Sequence, residues 1–206
     1  MQFSWIYCFY LFQDEKNQVL TTFGWLEVVS ALLLFYLLLT FKVLKNENLS
    51  RELKWQEIGR VIDSGFDFRS MSQSILATNW RTATTEEKRQ FVEFFSQYLE
   101  DTYRNKIEAY TNQRVVYVNE SVRNDRAVVD TIIKTDENQI PVSYKLKNNE
   151  GEWFAYDVVI EGVSLVNNYR STFTAIIKSE GMDGLLTDLE GRIETYKVEH
   201  GGLPQE

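Results

Sequence analysis

The sequence predicts an α+β domain, with a layer of helices packed on a twisted antiparallel sheet of about four to five strands. Three observations carry this prediction. Apolar residues recur with a helical period from residue 53 to residue 103. The period drops to two between residues 115 and 160, and it returns to the helical value after Gly162. Helices, then successive strands with short turns, then helices again describe a meander with a helical cover, not alternating βαβ units.

The first 40 residues of the chain stand apart from the rest. Residues 3–12 are aromatic and apolar, and Asp14, Glu15 and Lys16 interrupt them. Residues 28–41 form a second apolar run, short of the ~20 residues that a spanning helix needs. A secretory leader would begin with basic residues and end at a small-residue cleavage site. Here no basic residue precedes Lys16. The segment 1–40 is therefore read as a leader, an anchor, a core helix or a misassigned start. Its last part, from Leu37 to Leu44, is expected to be the packed end of the domain's first helix. The run passes into Lys42, Val43, Leu44 and Lys45 with no Gly or Pro to stop it. The domain proper is placed at 41–198 and a tail at 199–206.

The helices follow in order. Leu53, Ile58, Val61 and Ile62 suggest a short one. Asp67 can cap the next, whose apolar set is Phe68, Met71, Ile75 and Trp80. Thr84 with Glu87 is a capping box. The helix behind it carries Phe91, Phe94, Phe95, Tyr98, Leu99 and Tyr103 on one broad face. The strands come next. Val115 to Val118 begins them, and Ala127, Val129, Thr131 and Ile133 share one face of the second. Ile140, Val142, Tyr144 and Leu146 alternate with Pro141, Ser143, Lys145 and Lys147, and Phe154, Tyr156, Val158 and Ile160 make a fourth set. Asp136 to Gln139 and Asn148 to Gly151 have hairpin-turn chemistry. Ser164 can cap a helix striped by Leu165, Tyr169, Phe173, Ile176 and Ile177. Gly181 breaks it, and Asp183 caps a last helix through Leu185, Leu189 and Ile193.

Composition narrows the function. The chain has 206 residues, is 44% hydrophobic and 14% aromatic, and carries a net charge of −8. It can bury a full core without disulfide or metal. An acidic chain without a basic stripe does not wrap a phosphate backbone, so nucleic acid is excluded as a partner. One cysteine, Cys8, and one histidine, His200, cannot build the usual zinc sites and leave little for nucleophilic catalysis. The aromatic stripes are either ordinary core or the lining of a cavity for an apolar ligand. A meander with helices on one face forms a cone whose mouth admits such a ligand. Asp157 and Glu161 at the end of the fourth strand, with Arg170 on the following helix, are read as a structural cap or ion pair.

Several segments resemble the MlaC-type, or toluene-tolerance, family of periplasmic phospholipid-binding proteins. The first is the run from Trp153 to Ser164, continued by Leu165-Val166-Asn167-Asn168-Tyr169-Arg170-Ser171-Thr172-Phe173. The second is Phe66-Asp67-Phe68-Arg69-Ser70-Met71 followed by Asn79-Trp80-Arg81-Thr82-Ala83-Thr84, with Phe91, Phe95 and Tyr103. The third is Gly181-Met182-Asp183-Gly184-Leu185-Leu186. The similarity runs from about residue 41 to about residue 189. Ala77 stands where the family usually has glycine, and the first 40 residues match no part of its pattern.

The resemblance implies a cone like that of nuclear transport factors, with acyl tails inside and the headgroup at the mouth. It implies a periplasmic carrier of glycerophospholipid, without cofactor or catalytic residues, that maintains outer-membrane lipid asymmetry. Its partners would be an outer-membrane lipoprotein complex and an inner-membrane ABC transporter complex with a lipid-binding ring subunit. The lining candidates are Phe68, Met71, Ile75, Phe95, Leu99, Val142, Tyr144, Tyr156, Val158, Val166 and Phe173. Two other classes stay open. An isomerase or dehydratase on the same cone needs an acid or base inside the cavity, whereas Asp130 falls on the face opposite Val129 and Ile133. A scaffold with a solid core needs no ligand at all.

Overall fold

Short polar side chains set the helix starts. Ser50 Oγ accepts from Leu53 N at 3.3 Å and opens α2, Arg51–Gly65, which follows α1, Val28–Leu44. Asp67 accepts from Ser70 N at 2.8 Å and opens α3, Phe68–Leu76. One further turn, α4, Thr78–Thr82, carries Trp80 as a separate element. The expected capping box heads α5, Thr85–Glu108: Thr84 N donates to Glu87 Oε2 at 2.6 Å, and Glu87 N donates to Thr84 Oγ1 at 3.2 Å. Ser164 Oγ accepts from Asn167 N at 3.1 Å and opens α6, Leu165–His200. The break expected at Gly181 is a kink inside α6, where that residue takes φ 77°.

The computed structural model describes residues 28–108, 114–135 and 137–200. The readings of residues 1–27 as leader, anchor or misassigned start, of the tail beyond residue 200, and of Asp136 as a turn residue lie outside the described residues.

Five strands form one antiparallel sheet in the order of the sequence: β1, Arg114–Arg123; β2, Arg126–Lys134; β3, Gln139–Asn149; β4, Glu152–Ile160; and β5, Val163–Ser164. The β3–β4 and β4–β5 hairpins turn through two residues each. Glu150 and Gly151 take φ 54° and 97°, and Glu161 and Gly162 take φ 50° and 83°. Paired positive φ values match the right-handed twist of the strands they join.

One expectation for the sheet fails. Lys145 pairs with Asp157 but Leu146 pairs with Ala155, so Tyr156 is an extra residue on β4. Such a bulge swaps the faces on either side of it. Val158 and Ile160 face the apolar side as expected, whereas Ala155 and Trp153, not Tyr156 and Phe154, continue that side. Strict alternation cannot foresee the offset.

The apolar residues gather in two clusters. One is helical: α3, α4, α5 and α6 meet through Met71, Ile75, Trp80, Phe91, Phe95, Leu99, Val166, Phe173, Leu185 and Leu189. The other lies between the sheet and α1. Val129, Val142, Tyr144, Leu146, Ala155 and Val158 meet Val29 and Leu33 there, with Leu37 packed alongside. Leu165, the first residue of α6, packs against both.

Candidate functional site

The junction between β4 and α6 is fixed by Asp157, whose residue is 2% exposed. Its Oδ2 accepts from Lys145 Nζ and from Ser164 Oγ, both at 2.8 Å, and its Oδ1 accepts from Val166 N at 3.1 Å. One carboxylate thus caps the first turn of α6 and neutralises a lysine on β3. Arg170 finds a partner other than Glu161. Its Nε and Nη2 donate to Ser74 O at 2.9 and 2.7 Å. That carbonyl belongs to the last turn of α3, where no later helical N–H reaches it. Glu161 is exposed, and its backbone N donates to Pro141 O at 3.0 Å. Asp157 and Arg170 therefore join three elements side chain to backbone, and Glu161 holds a turn.

The lining candidates divide between the two clusters. Met71, Ile75, Phe95, Leu99, Val166 and Phe173 belong to the helical one, and Phe68 packs against it. There Phe95 meets Tyr169 and Phe173 edge to face, at 5.3 and 5.9 Å between ring centres, and Phe91 stacks on Phe95 at 5.6 Å. Interlocked rings of this kind are a packed interior. Val142, Tyr144 and Val158 lie on the sheet face under α1. Tyr156 joins neither cluster; the Arg126 guanidinium sits 4.8 Å from its ring.

The sheet face is an apolar surface with a cover of its own, α1. Three successive strands contribute Val129, Val142, Tyr144, Leu146 and Val158, and Glu120 of β1, opposite Val129, brings a carboxylate to the same face. Thr131 brings a hydroxyl, which donates to Val142 O at 3.0 Å. Asp130 turns to the other face, where its Oδ1 accepts from Ser143 Oγ at 2.6 Å. Sequence reasoning named Ala127, Val129, Thr131 and Ile133 as one face but did not count Val129 or Leu146 as lining. It also missed Val29 and Leu33 of α1, whose i, i+4 stripe is hidden in a helix apolar on every side.

Two surface hollows lie on polar ground away from this face. One of about 500 Å³ runs along Asp188, Arg192 and Tyr196, and one of about 370 Å³ along Trp55, Arg60 and Glu100. Among the described residues no group of three His, Cys, Asp or Glu is placed to hold a metal ion, and no helix is long and apolar enough to cross a membrane.

The chain resembles known proteins over the same elements. It is 24% identical over 123 residues to the intermembrane phospholipid transport system binding protein MlaC of Haemophilus influenzae, covering 56% of this chain and 57% of that one. It is 28% identical over 133 residues to the toluene tolerance protein ttg2D of Pseudomonas putida, covering 63% and 61%. These matches span about three fifths of each relative's length. The solved structure of a phospholipid-binding protein from Ralstonia solanacearum, in complex with a phospholipid, superposes with a TM-score of 0.73 at 22% identity, covering 81% of this chain and 97% of that one. That likeness establishes the shared fold. The model of the MlaC protein family matches residues 39–191, from the end of α1 through the whole sheet to the later part of α6, and so the chain belongs to the MlaC family.

Proposed function

We propose that the chain is a periplasmic carrier that holds a glycerophospholipid by its acyl tails. The observation that carries this reading is the apolar sheet face of Val129, Val142, Tyr144, Leu146 and Val158, covered by a helix as apolar as the face itself. Acyl chains need such a wall and no directional contact. The names of the relatives support the reading: one is a phospholipid transport binding protein, and the Ralstonia structure contains a phospholipid. Catalysis would need an acid or base on the ligand face; among the described residues the register places one carboxylate there, Glu120 opposite Val129 on β1, beside the engaged hydroxyl of Thr131. The partners proposed are an outer-membrane lipoprotein complex and an inner-membrane ABC transporter complex with a lipid-binding ring subunit. They would open the site so that a ligand buried this deeply can leave. Binding by tails alone predicts tolerance of headgroup type.

A solid-core scaffold is the second reading, and the seating of α1 on the sheet favours it. Native mass spectrometry of the full chain, purified without added lipid, separates the two. The carrier shows a species heavier by one diacyl phospholipid, which organic extraction recovers at about one per chain. A chain free of lipid, and unable to take any from vesicles, supports the scaffold.

A further inference from the structure

α1 occupies the surface that the carrier reading assigns to acyl tails. Val29 and Leu33, 3% and 5% exposed, sit in one cluster with Val129, Val142 and Tyr144. The helix has no polar face to keep toward water. Its sequence is VVSALLLFYLLLTFKVL, and Leu38 is 50% exposed. A surface helix of a globular domain ordinarily carries one apolar stripe and one polar side. The firm attachments of α1 lie toward its C-terminal end. The Tyr36 ring packs so closely on α2 that a Cβ at Gly65 would stand 3.3 Å from it. Lys54 Nζ donates to Leu44 O at 2.9 Å. Over the sheet, the described residues of the helix that meet the apolar cluster are Val29, Leu33 and Leu37.

We propose that α1 is a displaceable occupant of the acyl-chain face. Its N-terminal half, with Val29 and Leu33, covers the face and leaves it when lipid takes its place, while the half from Tyr36 to Leu44 stays on α2. The proposal rests on the carrier reading. A valine-leucine stripe and an acyl chain satisfy the same apolar wall, because neither contact is directional, so the two compete for one surface. Displacement leaves the helical cluster of α3, α5 and α6 intact, since none of the described residues of α1 belongs to it.

Hydrogen exchange on the full chain tests this, comparing the empty protein with protein loaded with dioleoylphosphatidylglycerol from vesicles. Amides of residues 28–35 are expected to exchange at least tenfold faster in the loaded chain, with α3 and α5 unchanged. Unchanged or slower exchange in 28–35 overturns the proposal and makes α1 a fixed wall of the site. Leu33→Asp gives a second readout of opposite sign. Uptake of the same lipid quickens severalfold if α1 is an occupant, and less lipid is retained if it is a wall. Should the variant not fold, the exchange comparison on the unaltered chain decides alone. A chain that takes up no lipid overturns the carrier reading itself, and the proposal with it.

Discussion

Ala77 links α3 to α4 with φ 51° and ψ −114°, a conformation suited to glycine. The family resemblance leads one to expect glycine there, and this backbone gives that expectation its physical reason, which the sequence alone could present only as a small change. Strain of this kind costs on the order of 1–3 kcal/mol, partly offset by the greater freedom of glycine in the unfolded chain. Ala77→Gly should therefore stabilise by about 1 kcal/mol and raise the melting midpoint by roughly 2–4 °C. A fall in thermal melting would show that the alanine is not strained. Asp157 works in the opposite sense. Asp157→Ala leaves Lys145, Ser164 Oγ and Val166 N without their acceptor, three groups at one buried point. The expected loss is about 3 kcal/mol, read from chemical denaturation, with the secondary structure retained. Acid should also loosen the α2–α5 contact. Arg51 donates to both carboxylate oxygens of Glu108, at 2.7 and 3.0 Å, and Trp55 Nε1 donates to one of them. The Arg51 hydrogen bond leads in holding the Glu108 carboxyl below its usual range, against the effect of burial. A carboxyl lowered in the folded state contributes stability above its unfolded value that is lost as pH falls through the folded one. Glu100, raised chiefly by burial, has the opposite slope. Glu108→Gln should flatten the loss of stability below about pH 4.5, as measured by denaturation across pH 3–7.

Among the elements, those whose signals are local were legible. Thr84 with Glu87, Asp67 and Ser164 are side chains that cap their own helices, so the starts of α5, α3 and α6 could be read directly. The alternation in β2 and β3 likewise predicts which residues are buried, because each strand has one apolar face. The bulge at Tyr156 was not legible, since it depends on how β4 registers against β3. The division of the lining candidates between the two clusters was not legible for a related reason. A stripe of Phe95, Leu99 and Phe173 reads the same whether it meets other helices or a ligand, and only the tertiary arrangement places it in the helical cluster. The two groups should respond differently to substitution. Leu99→Ala opens a cavity among helices and should cost about 2–5 kcal/mol while leaving lipid per folded chain unchanged. Val142→Glu puts a charge on the sheet face and should abolish lipid retention in protein that remains folded. Both are checked by native mass spectrometry beside circular dichroism. A folded Val142→Glu chain with normal lipid content would remove the sheet face from the site. The energies also fit an exchangeable cover. Burying three side chains of α1 yields roughly 5–9 kcal/mol, and a dozen methylenes roughly 10 kcal/mol.

At the scale of the whole molecule, two apolar clusters serve different ends. The helical one joins α3 to α6 through interlocked aromatic rings and carries the stability of the helical layer. The other joins the sheet to α1, and ligand exchange is proposed there. Asp157 and Arg170 brace the boundary between them, so the sheet keeps its position against the helices while its cover changes. The central claim is that acyl tails lie on the face of Val129, Val142, Tyr144, Leu146 and Val158. It is tested most directly by loading the full chain with a phospholipid whose acyl chain bears a photoreactive group, irradiating it, and mapping the adducts by mass spectrometry. Adducts concentrated on those residues of β2, β3 and β4 are the predicted result. Adducts confined to Phe95, Leu99 and Phe173, or to the Lys145 and Lys147 side of the sheet, would contradict it.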